Sequence, residues 1–163
     1  MPSRMTVHKW FLRMQYELSL RLVSGGEGLD KELTTPQVSR PGLTLAGYFR
    51  HFDARQMQVL GQQEIAYVSD LAPARRGEIF RQMLDADMPC VVVTRGLEPP
   101  AELVEENRRA GTAVLSTKMP TGSFIARTIV YLEEEFGPSE VLHANLAEVY
   151  GVGVLIQGKS GIG

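Results

Sequence analysis

At 163 residues, with 44% hydrophobic and 22% charged side chains, the chain is long enough to bury one ordinary core and too apolar for a disordered segment. Seventeen Lys and Arg against nineteen Asp and Glu leave a formal charge of -2, with no basic stripe interleaved with aromatics, so neither nucleic acid nor an anionic membrane is expected as a partner. No apolar run approaches the roughly 18 residues a membrane span needs, and His8, Lys9 and Arg13 interrupt the first apolar segment. A soluble, cytoplasmic protein is expected.

Val7, Trp10, Phe11, Met14, Leu18 and Leu22 recur at steps of three and four, which predicts a helix ending near Gly25-Gly26. Beyond it, Pro36, Pro41 and Gly42 break a weakly alternating stretch, for which short strands are expected around Glu32–Thr35 and Leu43–Tyr48. Two more are expected at Gln56–Leu60 and Glu64–Val68, across Gly61-Gln62-Gln63.

The pattern then changes to helix and strand in alternation. Pro73 suits a first helical turn, and Ile79, Phe80, Met83 and Leu84 supply the apolar stripe of a helix reaching about Ala86. Cys90–Thr94 reads as a buried β-branched strand, Pro100–Ala110 as a helix, Ala113–Ser116 as a second buried strand and Thr121–Phe136 as a helix closed by Gly137. Short apolar strands separated by helices predict an α/β fold with a parallel layer. The last segment looks extended over Glu140–Tyr150 and Gly151–Gln157, and a domain boundary is placed after Gly137, giving domains 1–137 and 138–163.

Cys90, the single cysteine, lies in the run Cys90-Val91-Val92-Val93 and forms no internal disulfide. Apolar surroundings keep a thiol protonated and inert, so it is read as a small buried hydrophobe rather than a nucleophile. The terminus, Gly158-Lys159-Ser160-Gly161-Ile162-Gly163, follows the apolar strand Val152–Ile156 and matches the first six positions of the phosphate-binding loop G-x-x-x-x-G-K-[ST]. Glycines suit such a loop because backbone N–H groups must point at phosphate oxygens, and side chains would block the approach. The loop's lysine and its magnesium-binding Ser or Thr would come next. Taken alone, a glycine-rich end is as readily a tight turn or a flexible terminus.

From about Thr6 onward the chain resembles the N-terminal half of HPr kinase/phosphorylases. The resemblance rests on Gly25–Asp30 (GGEGLD), Ser39–Phe49 (SRPGLTLAGYF), Val92–Leu103 (VVTRGLEPPAEL), Ala113–Pro120 (AVLSTKMP) and His143–Gly163 (HANLAEVYGVGVLIQGKSGIG). Each stretch is weak singly, and their order and spacing make the set specific. The resemblance implies an N-terminal α/β domain similar to the Mur-ligase N-terminal fold, followed by the first strands of a P-loop kinase domain that assembles as a hexamer. It also implies a bifunctional enzyme that uses ATP and Mg2+ to phosphorylate a serine of the phosphocarrier HPr and reverses this by phosphorolysis. On that reading the sequence breaks off inside the phosphate loop, and the fragment alone is expected to be inactive and to hold no cofactor.

Gly158, Lys159, Ser160, Gly161, Ile162 and Gly163 are then the phosphate-binding residues. His143 is implied to lie beside a catalytic aspartate supplied from beyond the loop and to tune it as acid or base, although a lone strand histidine is ordinarily structural. Lys159 stands where the family usually has an acidic residue, Glu148 where Asp is usual and Ala144 where Gly commonly follows the histidine, which leaves substrate detail open. Arg40, Arg95 and Glu98 are further candidates: the arginines could hold a phosphate or carboxylate or clamp loop carbonyls, and the structural reading is preferred. His8 and His51 receive no support as site residues, and Glu133-Glu134-Glu135 reads as a solvated face. Two other classes remain open: a stand-alone regulatory ligand-binding module and a different P-loop NTPase.

Overall fold

The computed structural model describes residues 4–138, 144–149 and 152–157. Residues Met57–Leu60, Cys90–Val93 and Ala113–Ser116 are buried throughout, because both faces of their sheet are covered. With Val38–Ser39 they form four parallel strands, and Arg21–Ser24 adds an antiparallel edge. In chain order these are β1 (Arg21–Ser24), β2 (Val38–Ser39), β3 (Met57–Leu60), β4 (Cys90–Val93) and β5 (Ala113–Ser116), and they lie side by side as β1-β5-β4-β3-β2.

The period of two along each strand sorts the core into two clusters. Met57, Val59, Cys90, Val92, Ala113 and Leu115 face the helices α1 (Val7–Met14) and α6 (Thr121–Phe136), where Trp10 and Phe124 meet edge to face with ring centroids 6.3 Å apart. Leu60, Val91, Val93 and Val114 face the opposite layer, built from α2 (Gly42–Leu45), α3 (Gln62–Ser69), α4 (Pro73–Leu84) and α5 (Ala101–Ala110). The result is a three-layer α/β/α sandwich. Ion pairs of Arg76 with Glu102 at 2.8 Å and Arg81 with Glu106 at 2.9 Å tie α4 to α5 along their outer edges.

One topological point fixes where a crevice forms. The chain leaves β4 toward α5 on one face of the sheet and leaves β5 toward α6 on the other. Adjacent parallel strands whose connections diverge in this way leave an opening at their carboxyl ends.

The α/β class, β3, β4, β5 and the helices α4, α5 and α6 agree with the sequence expectations. Four expectations are corrected. The first helix stops at Met14 instead of running to Gly25, because Ser19 turns left-handed (φ 51°) and the Leu20 N–H bonds back to the Gln15 carbonyl, after which β1 begins. Leu22 falls in the edge strand, while Leu18 and Leu20 are buried in the segment that leads into it. Glu32–Thr35 carries only an isolated bridge from Glu32 to Thr6, and the strand comes later at β2.

Leu43–Tyr48 holds the short helix α2 rather than a strand, with Leu45 buried and Leu43 exposed. Glu64–Val68 lies inside α3, where Glu64 sits three residues past Gly61 and its carboxylate accepts the Gly61 N–H at 2.8 Å. That bond satisfies a helix-end donor and outweighs the β-branched residues of the segment. A separate two-stranded antiparallel sheet joins β6 (Ala144–Val149) to β7 (Val152–Gln157), in keeping with the extended reading of this region.

Candidate functional site

The carboxyl edge of the parallel strands gathers Arg40, Arg95 and Glu98 of the polar residues that the sequence singled out. At the end of β3, Arg40 donates from Nη2 to Glu64 Oε2 at 2.9 Å, and the same oxygen accepts the Gly61 N–H. Glu64 is only 6% exposed, so its charge is desolvated and needs this arginine. A Cβ on Gly61 would stand 2.8 Å from Thr121 Oγ1 and 3.1 Å from the Arg40 guanidinium, which explains the glycine. Next to it, Thr94 and Thr121 share a buried hydroxyl hydrogen bond of 2.7 Å. Arg40 is therefore a clamp on the α3 entry and is committed to Glu64.

At the ends of β4 and β5 two loops are stitched together. The Arg95 N–H donates to the Met119 carbonyl and the Gly96 N–H to the Thr117 carbonyl, both at 2.9 Å. Buried Thr117 donates its hydroxyl to the Leu18 carbonyl and accepts the Met119 N–H at 3.1 Å. Arg95 itself is exposed and left-handed (φ 63°), a conformation uncommon outside glycine. Between these loops and β1 lies a groove of about 430 Å³ lined by Arg21, Glu98, Ser116 and Lys118 among others. Arg21 pairs directly with Ser116 across the β1–β5 ladder. The side chains of Arg21 and Lys118 make no hydrogen bond or ion pair with any described residue.

The remaining sequence candidates distribute plainly. His143 and Gly158, Lys159, Ser160, Gly161, Ile162 and Gly163 lie outside the described residues. Glu98 lines the groove, whereas His8 and His51 are exposed and Glu133, Glu134 and Glu135 form a solvated face. Cys90 is fully buried, and burial pushes its thiol far above the usual range, so it carries no reactivity. Among the described residues no group of His, Cys, Asp and Glu could hold a metal ion, and no helix is long and apolar enough to cross a membrane.

The sequence reading passed over Arg21 and Lys118. A signal for Lys118 was present in Ser116-Thr117-Lys118, a polar triplet set directly between a buried strand and a proline-led helix. Arg21 was hidden by its assignment to a helix. What the groove offers chemically is retention of an anion, through two unpaired cations and the Ser116 hydroxyl beside them.

Residues 5–132 match the family described as "HPr Serine kinase N terminus". The chain is 40% identical over 147 residues to the HPr kinase/phosphorylase of Geobacillus kaustophilus and 39% identical over 147 residues to that of Geobacillus thermodenitrificans. Each alignment covers 90% of this chain and 47% or 48% of the relative, so the chain spans about half the length of the curated relatives it matches. A solved structure of the CBS and DRTGG domains of the regulatory region of Clostridium perfringens pyrophosphatase aligns with a TM-score of 0.49 and 18% identity, over 72% of this chain and 44% of that one. By the extent of the family match, the chain belongs to the HPr serine kinase N-terminal family.

Proposed function

We propose that this chain is the N-terminal part of an HPr kinase/phosphorylase, an enzyme that transfers a phosphoryl group from ATP to a serine of HPr and returns phosphoserine to serine by attack of inorganic phosphate, releasing pyrophosphate. The observation that carries this reading is the 40% identity over nine-tenths of the chain to a relative of that name. Residues 1–137 form the accessory α/β domain and residues 138–163 open the kinase domain. ATP, Mg2+, HPr, a hexameric assembly, a role in carbon-metabolism regulation and a cytoplasmic location belong to the complete protein on this reading.

The phosphate site of that enzyme begins at Gly158–Gly163, and His143 assists its catalytic carboxylate. Support comes from the β6–β7 ladder, whose end pair is Ala144 with Gln157. These are the chain neighbours of His143 and Gly158, and consecutive Cα atoms are about 3.8 Å apart. In the sequence, His143 directly precedes β6 and the glycine-rich stretch directly follows β7, an order that suits an acid–base partner for a phosphate loop.

Replacing His143 with Ala in the complete protein is expected to lower both kinase and phosphorylase rates by about tenfold to ten-thousandfold, with little change in melting temperature. A loss of roughly 1–3 kcal/mol in stability with normal turnover per folded molecule would remove His143 from the site. The codons after Gly163 supply a second check, since a phosphate loop continues with Lys and then Ser or Thr. Any other residues there would favour a stand-alone module.

A further inference from the structure

We infer that the groove between the carboxyl ends of β4 and β5 is a binding site for a small molecule carrying a multivalent oxyanion, built from residues other than Gly158–Gly163. The first observation is its position. It lies where the connection after β4 runs to α5 on one face of the sheet and the connection after β5 runs to α6 on the other, the place where open parallel sheets leave a crevice.

The second observation is unspent charge. Most arginines of this domain are paired: Arg40 with Glu64, Arg76 with Glu102, Arg81 with Glu106 and Arg109 with Asp85. Arg21 and Lys118 line the groove and have no such partner among the described residues, although Glu98 lines the same groove. Two cations against one carboxylate leave a local excess of one positive charge. Glu98 then accepts a hydroxyl or ammonium elsewhere on the ligand, while the cations take the oxyanion.

Rigidity is the third. Thr117 is buried and bonded at its backbone and hydroxyl to β4, Leu18 and Met119, and Gly96 and Arg95 are bonded to the facing loop. The walls are held before any ligand arrives, which lowers the ordering cost of binding. Ser19 (φ 51°) beside Arg21 and Arg95 (φ 63°) beside Gly96 also bring two strained non-glycine backbones to one groove. Finally, α5 and α6 begin three residues after Glu98 and Lys118, and neither start carries a side-chain cap, so their first N–H groups add positive potential at this edge.

The test is calorimetric titration of the 163-residue chain with pyrophosphate and, separately, with citrate. Binding of at least one of them tighter than about 1 mM is expected. The R21Q/K118Q double variant, both positions being exposed, should keep the melting temperature and weaken that binding by about tenfold or more. The G158A/G163A variant should bind as the parent does. A preference for pyrophosphate marks a phosphorylated ligand and a preference for citrate a polycarboxylate, and each supports the site when the double variant abolishes it. Unchanged affinity in R21Q/K118Q, loss of binding only in G158A/G163A, or no binding of either anion would overturn the inference. All three outcomes leave the proposed kinase function standing, because that function is read on HPr and ATP with the complete protein.

Discussion

Asn107 shows how one side chain can hold a corner of this fold. It is 2% exposed, receives the Thr112 N–H at 2.9 Å, and donates to the Thr112 carbonyl and to Ser24 Oγ at 3.0 Å. Asn107→Ala strands a buried donor and acceptor, and urea unfolding should record a loss of about 2–3 kcal/mol. A change below about 0.5 kcal/mol would mean that water replaces the amide. Gly25 meets the same corner: a Cβ there would lie 1.9 Å from the Thr112 carbonyl oxygen, and φ is already +74°. Its place in the GGEGLD stretch thus has a packing cause. Cys90, fully buried, should resist a thiol reagent in the native protein and react only as fast as the sheet opens. Rapid labelling at native pH would contradict that. At the surface, the Arg55 fork holds Asp53 at 2.9 Å on each oxygen and lowers its pKa from the ordinary 3.8 to about 2. A depressed carboxylate contributes stability above its unfolded value and loses it as pH falls, so this contribution fades between about pH 4 and pH 2. Carboxyl NMR should place the Asp53 midpoint near 2, against 3.8 if the fork is open in solution.

Among the elements, legibility in sequence followed length and burial. β4 and β5 were readable because β-branched or apolar residues fill every position except Ser116 and both faces are covered, and α4, α5 and α6 because the helices run for ten residues or more. The four-residue α2 and the eight-residue α3 were not, because so few positions cannot separate a period of two from one of 3.6. Glu64 decides α3 through a local helix-start bond to the Gly61 N–H and a non-local one from Arg40, 24 residues earlier in the chain. Glu64→Gln keeps the shape and removes the charge. It should therefore leave Arg40 unpaired beside Gly61 and cost about 1–3 kcal/mol in denaturant melts, with an equal effect from Arg40→Ala if the two act as one unit. Additive losses in the double variant would show instead that they act separately. The groove was illegible for a related reason, since Arg21 reaches it only once the first helix stops at Met14 and β1 pairs with β5.

At the scale of the whole molecule, a three-layer domain with its crevice at the β4–β5 edge precedes, in the sequence, a two-stranded ladder and then the glycine-rich stretch proposed as a phosphate loop. The family and the α/β class were legible because several short stretches recur in order, and the match over residues 5–132 bears this out. On the proposed reading, phosphoryl transfer would need a loop lysine, a magnesium ligand and a carboxylate in addition to the glycines of Gly158–Gly163. On that reading the 163-residue chain should bind ATP no more tightly than about 1 mM by calorimetry, and micromolar binding would contradict it. The central claim is tested most directly by incubating the complete protein with HPr and ATP·Mg2+, then with inorganic phosphate, and following HPr by mass spectrometry. The account predicts one phosphoryl group gained on a serine of HPr and its removal as pyrophosphate when phosphate is added. HPr left unmodified by a folded, ATP-binding protein would contradict it.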